Sequence, residues 1–132
     1  MTIRLTPLAQ RQLRLLRKTG FRGEGLLLGT ILGKFLLVES LLPLSFNRDH
    51  LDKTLVAAVE SLGRRVAGVF FANKRPFSHD WFRERVIMEI HRERVDFFRL
   101  ECTRAETGTA GRPGKTKVHW VKLGRGNGRI LN

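Results

Sequence analysis

The sequence predicts an α/β fold: a mixed β-sheet flanked by an N-terminal basic helix and a second helix, with a basic C-terminal tail. Three observations carry that expectation. Leucines at three-to-four spacing share residues 5–18 with arginines, as in an amphipathic helix. Apolar runs punctuated by glycine follow from residue 25, as in buried strands, and helical spacing returns over residues 50–63. With 132 residues the chain is long enough to bury one core and too short for two.

The first helix opens at Thr6 and Pro7, because a threonine oxygen accepts from an orphan amide and proline needs none there. Leu5, Leu8, Ala9, Leu13 and Leu16 fall on one face, Arg11, Arg14 and Lys18 on another, and Gly20 supplies the stop. Gly25 to Gly29, Ile31 to Gly33 and Phe35 to Val38 then read as strands buried on both faces, turning at residues 32–34 and closed by Pro43. In the second helix Leu51, Leu55, Ala58, Val59 and Leu62 share a face, with Asp49 as cap and Gly63 as stop.

Arg65 to Phe71 reads as a third, central strand, and Ala72 to Asp80, with Pro76, as a loop. Trp81 to Arg85 suits a short helical turn. Val86 to Ile90 and Val95 to Leu100 are β-rich runs around Arg92, Glu93 and Arg94, read as a hairpin, with a helix running through residue 92 as the alternative. A Gly/Pro/Thr loop spans Thr107 to Gly114, Lys117 to Leu123 forms a last strand, and Gly124 to Asn132 reads as mobile. Phe70 and Phe71, and Phe97 and Phe98, are adjacent pairs. In a strand each pair sends one ring to each face, which predicts a sheet covered on both sides or an apolar face that meets a partner.

Charge is unevenly spread. The net charge is +13, yet residues 1–23 carry six bases and no acid, residues 24–103 carry twelve bases and eleven acids, and residues 104–132 carry seven bases and Glu106. A nearly neutral body is flanked by two basic ends, a pattern of anion-binding segments attached to a fold. The division this suggests is a core domain over 1–103, including the basic helix, and a basic Gly-rich extension over 104–132. Hydrophobic residues make up 42% of the chain, which excludes a disordered polybasic protein.

Cys102 is the one cysteine, so no internal disulfide or Cys-rich zinc site is expected, and a cytoplasmic location follows from a reducing compartment. The first residues lack the apolar core of a signal peptide. Lys34 and Glu39 interrupt the most apolar stretch, which argues against a membrane span.

The order of helix, glycine-punctuated hairpin, helix, central strand and polar loop resembles the MPN domain, the fold of the JAMM zinc isopeptidases. Gly25-Leu-Leu-Leu-Gly29 is similar to that family's Gly-Leu-Leu-Leu-Gly hairpin, and Gly68-Val-Phe-Phe-Ala-Asn73 stands where the family has Gly-Trp-Tyr-His-x-His. The likeness covers roughly residues 4–103. It implies a zinc held by two histidines and an aspartate, with a glutamate before the hairpin as general base. Here the two histidine positions read Phe71 and Asn73, and the base position reads Arg22, with Glu24 two residues on as a shifted candidate. Ser78 and Asp80 stand for the family's serine and aspartate at a shorter spacing. One carboxylate does not hold a catalytic zinc, so the resemblance implies a catalytically degenerate member, a scaffold that pairs with a second MPN domain or a second copy of itself.

No other constellation replaces the lost centre. His50, His79, His91 and His119, with Asp52 and Asp80, lack the paired spacing of a zinc motif, and Ser78, His79 and Asp80 are neighbours whose side chains point apart, unlike a triad. No cofactor is expected. Three functions follow in order: a non-catalytic scaffold or protein-binding module whose basic ends meet an anionic partner, a stand-alone nucleic-acid-binding protein, and a metal-dependent hydrolase with other ligands. Candidate nucleic-acid contacts are Arg11, Arg14 and Lys18 on the first helix, and Arg112, Lys115, Lys117, Trp120, Lys122, Arg125 and Arg129 in the tail, where charge meets phosphate, tryptophan stacks and glycines let the backbone follow a strand.

Overall fold

In the computed structural model, residues 1–46, 53–77, 80–83, 85–104 and 116–126 are described. They form a seven-stranded mixed sheet with two α-helices, in the chain order β1 (Thr2–Leu5), α1 (Pro7–Thr19), β2 (Gly23–Leu32), β3 (Phe35–Pro43), α2 (Lys53–Ser61), β4 (Val66–Ala72), a 3-10 turn (Asp80–Phe82), β5 (Val86–Ile90), β6 (Val95–Arg104) and β7 (Thr116–Gly126). The strand order is β1-β3-β2-β4-β5-β6-β7. Pairs β1–β3 and β4–β5 are parallel and the other neighbours antiparallel. β4 is central, as its unbroken apolar run predicts. Among the described residues no helix is long and apolar enough to cross a membrane.

Local chemistry sets the ends of α1. Thr6 Oγ1 accepts the Ala9 N–H at 3.2 Å and donates to the Glu39 carbonyl at 2.6 Å, so the cap also ties the helix to β3. Gly20, at φ 65°, closes it with its N–H on the Arg17 carbonyl. The β2–β3 turn needs Gly33 at φ 57° between Leu32 and Phe35, which pair.

Alternation along β4 builds two cores. Ala67, Phe70 and Ala72 join Leu5, Ala9, Leu13, Leu36, Met88 and Phe97 beneath α1, whereas Val66, Val69 and Phe71 join Leu26, Phe46, Val56, Phe77 and Phe82 on the α2 side. The adjacent phenylalanines therefore serve opposite faces, Phe70 and Phe97 on one, Phe71 and Phe98 on the other, and the sheet is covered on both.

The structure departs from the sequence expectations in three places, and over residues 86–100 it bears out the hairpin against its alternative. Leu5, read as part of the helical face, lies in β1, a short strand parallel to β3 whose four residues are too few to show a period, and it still enters the core beneath α1. Residues 86–100 form the hairpin rather than the helix through residue 92; β-branched Val86, Ile87, Ile90 and Val95 favour strands, and the His91 N–H closes the turn on the Arg94 carbonyl at 2.9 Å. The helical turn after the loop starts one residue early and ends at Phe82. Gly124, Arg125 and Gly126, read as mobile, belong to β7 and pair with Phe97, Asp96 and Val95. Cross-strand pairing with β6 overrides the local flexibility that glycine confers. The sheet thus continues past residue 104. Asp49 and residues 50–52, the expected start of the second helix, lie outside the described residues.

Candidate strand-end site

The C-terminal end of β4 meets the N-terminal end of β2, with Phe71 opposite Glu24 and Ala72 opposite Gly23. Phe71 is fully buried in a cluster of phenyl rings. Its centroid is 5.0 Å from Phe77 and 6.1 Å from both Phe46 and Phe82, each contact edge-to-face, and Phe46 and Phe77 are 5.9 Å apart. Asn73 leaves the strand at φ 50°, a left-handed conformation that asparagine tolerates. Its amide nitrogen donates to the Phe21 carbonyl at 2.9 Å and its backbone N–H to the Ile90 carbonyl at 2.9 Å. Neither position offers an imidazole or an open coordination site; one packs hydrocarbon and the other pins two segments together.

Glu24 is buried beside this cluster, and both carboxylate oxygens are engaged. Oε1 accepts the Phe46 N–H at 3.2 Å, and Oε2 pairs with Lys74 Nζ at 2.8 Å. As a shifted general-base candidate it faces a lysine and a backbone amide. Arg22, at the family's base position, is exposed. Asp80 opens the 3-10 turn, while Ser78, His79, His50 and Asp52 lie outside the described residues. His91 Nε2 approaches Glu89 Oε1 at 2.6 Å, and Cys102 and His119 lie in β6 and β7. Among the described residues no three His, Cys, Asp or Glu side chains gather as a ligand set.

The predicted anion contacts separate into two groups. Arg11, Arg14 and Lys18 are exposed on α1, beside Leu8 and Leu15, which are also exposed. Lys117, Trp120 and Lys122 stand in β7 opposite Thr103, Leu100 and Phe98, in the expected last strand, and Arg125, from the stretch read as mobile, pairs with Asp96 in the same strand. Arg112, Lys115 and Arg129 lie outside the described residues.

An open groove of about 670 Å³ lies at the same strand end, lined by Phe21, Arg22, Glu24, Pro43, Leu44 and Lys74 among others. The β5–β6 turn is tied to α1 at this end of the sheet: Arg17 on α1 donates to the Arg92 carbonyl through Nε at 3.2 Å and Nη2 at 2.8 Å. Sequence reasoning missed this gathering, because residues 17, 21, 22, 74, 75 and 92 are distant in the chain. The hairpin over 86–100 was legible in sequence, but its parallel pairing with β4, which brings Ile90 beside Asn73, was not. The fold is a mixed α/β sheet with one strand end packed by phenyl rings. No protein-family model matches the chain, and no curated protein matches it.

Proposed function

We propose that this chain is a non-catalytic, MPN-like docking module whose basic surface meets an anionic partner in the cytoplasm. Phe71 carries the reading. A zinc hydrolase needs ligands and a water at that strand end, whereas four phenyl rings fill it and Glu24 is spent on Lys74 and the Phe46 amide. Exposed Arg11, Arg14 and Lys18, on a helix with no acidic residue, supply long-range attraction to a polyanion.

Two measurements test it together. Equilibrium dialysis against zinc chloride leaves the protein without a stoichiometric ion, and a heparin column retains it at low salt and releases it as salt rises. One equivalent of zinc accompanied by hydrolysis of an isopeptide-linked substrate overturns the non-catalytic half. Passage through heparin at low salt overturns the anionic-partner half.

A further inference from the structure

We infer that the strand-end groove is a binding site for single-stranded nucleic acid, with Phe21 as the stacking surface and Arg22, Arg75 and Arg92 as the phosphate contacts. The inference rests on the anionic-partner reading and names the partner's class and its seat. Four segments are fixed together at this end. Asn73 joins the end of β4 to the Phe21 carbonyl and to Ile90 of β5, and Arg17 joins the end of α1 to the Arg92 carbonyl. The cations around the groove therefore sit on one tied platform.

Its charge is biased toward the positive. Arg22, Arg75 and Arg92 are exposed, whereas the half-exposed Lys74 is paired with Glu24 at 2.8 Å and Asp96 with Arg94 at 3.0 Å. Among the described residues, Glu93, exposed in the β5–β6 turn, and Glu89, beside His91, are the acids that oppose them at this end. Phe21 is half-buried, lies over Gly23 and lines the groove with Pro43 and Leu44. A flat ring between cations suits a base with its phosphates, because stacking works on any base and the charges follow the backbone. The outer face of α1 offers Leu8 and Leu15 and no ring, so it attracts a strand without gripping a base.

The test is fluorescence anisotropy of the full chain with a fluorescein-labelled oligothymidylate of about 20 nucleotides. For about three phosphate contacts, affinity falls about 20-fold between roughly 50 and 200 mM salt. Two paired variants remove the same net charge: Arg22→Gln with Arg92→Gln at the groove, and Arg11→Gln with Arg14→Gln on α1. The groove pair costs at least about tenfold in affinity and flattens the salt slope by about 1.4, and the α1 pair costs less. Phe21→Leu weakens binding about tenfold and leaves the slope unchanged. All three variants melt within a few degrees of the parent, because the changed side chains are exposed or half-buried.

Equal losses from the two charge pairs, or a larger loss from the α1 pair, overturn the placement at the groove. An oligothymidylate that does not bind while heparin is still retained overturns the nucleic-acid assignment and leaves an anionic partner of another class, such as an acidic protein surface. Loss of both sinks the parent reading as well.

Discussion

Gly68 lies so close to β5 that a Cβ on it would overlap the Val86 carbonyl, and backbone in a paired strand has little room to retreat. Gly68→Ala is accordingly expected to cost about 3 kcal/mol, read as a lower urea midpoint at unchanged slope. Phe71→Ala should cost about 3–5 kcal/mol by the same measurement, because it removes a fully buried ring from contact with Phe46, Phe77 and Phe82. Glu24→Ala tests the neighbouring polar knot. It strands the Phe46 N–H, which is buried with no other partner shown, and frees Lys74, so a loss of about 1–3 kcal/mol is expected in urea titration. The knot was only half legible: Glu24 stood out as a carboxylate near the hairpin, but its partners, 22 and 50 residues away, are products of folding.

At the scale of elements, α1 is the best-specified piece of the chain. Thr6, Pro7 and Gly20 mark its limits locally, and Thr6→Ala should lower stability by about 2 kcal/mol in a thermal melt, the upper end of cap effects, because the hydroxyl also holds the Glu39 carbonyl. The apolar side of α1 buries Ala9 and Leu13 against β1 and β3, while its outer side keeps both cations and leucines in solvent. The β2–β3 hairpin was equally plain, because its turn needs a positive φ that Gly33 provides. β1 was not, since four residues carry no period and its parallel pairing with β3 is set by the chain's return across α1.

For the molecule as a whole, β7 is the consequential element. It stands at one edge of the sheet and covers β6 through a register running from Arg104 opposite Thr116 to Val95 opposite Gly126. Removing residues 105–132 bares the backbone donors and acceptors of β6, a ten-residue edge that invites pairing between molecules. The shortened chain is expected to elute from a sizing column as oligomers or aggregate at concentrations where the full chain remains dispersed. Uneven charge over the sequence also takes a different form in space. Among the described residues, the first basic end packs as α1 against the sheet, and residues 116–126 of the second form its edge strand.

Composition, caps and periodicity determined by themselves that the chain folds around one sheet with two helices, that β4 is its middle, and that Phe70 and Phe71 serve opposite faces. Those features depend on neighbours in sequence, on the twofold alternation of a strand or on the turn of a helix. Only the tertiary structure decided that Phe71 is sealed by three other rings, that Glu24 is tied to Lys74, and that Phe21, Arg22, Lys74 and Arg92 share one end of the sheet. These depend on register and strand direction, through which hydrogen bonds between remote segments bring together residues that no local pattern connects.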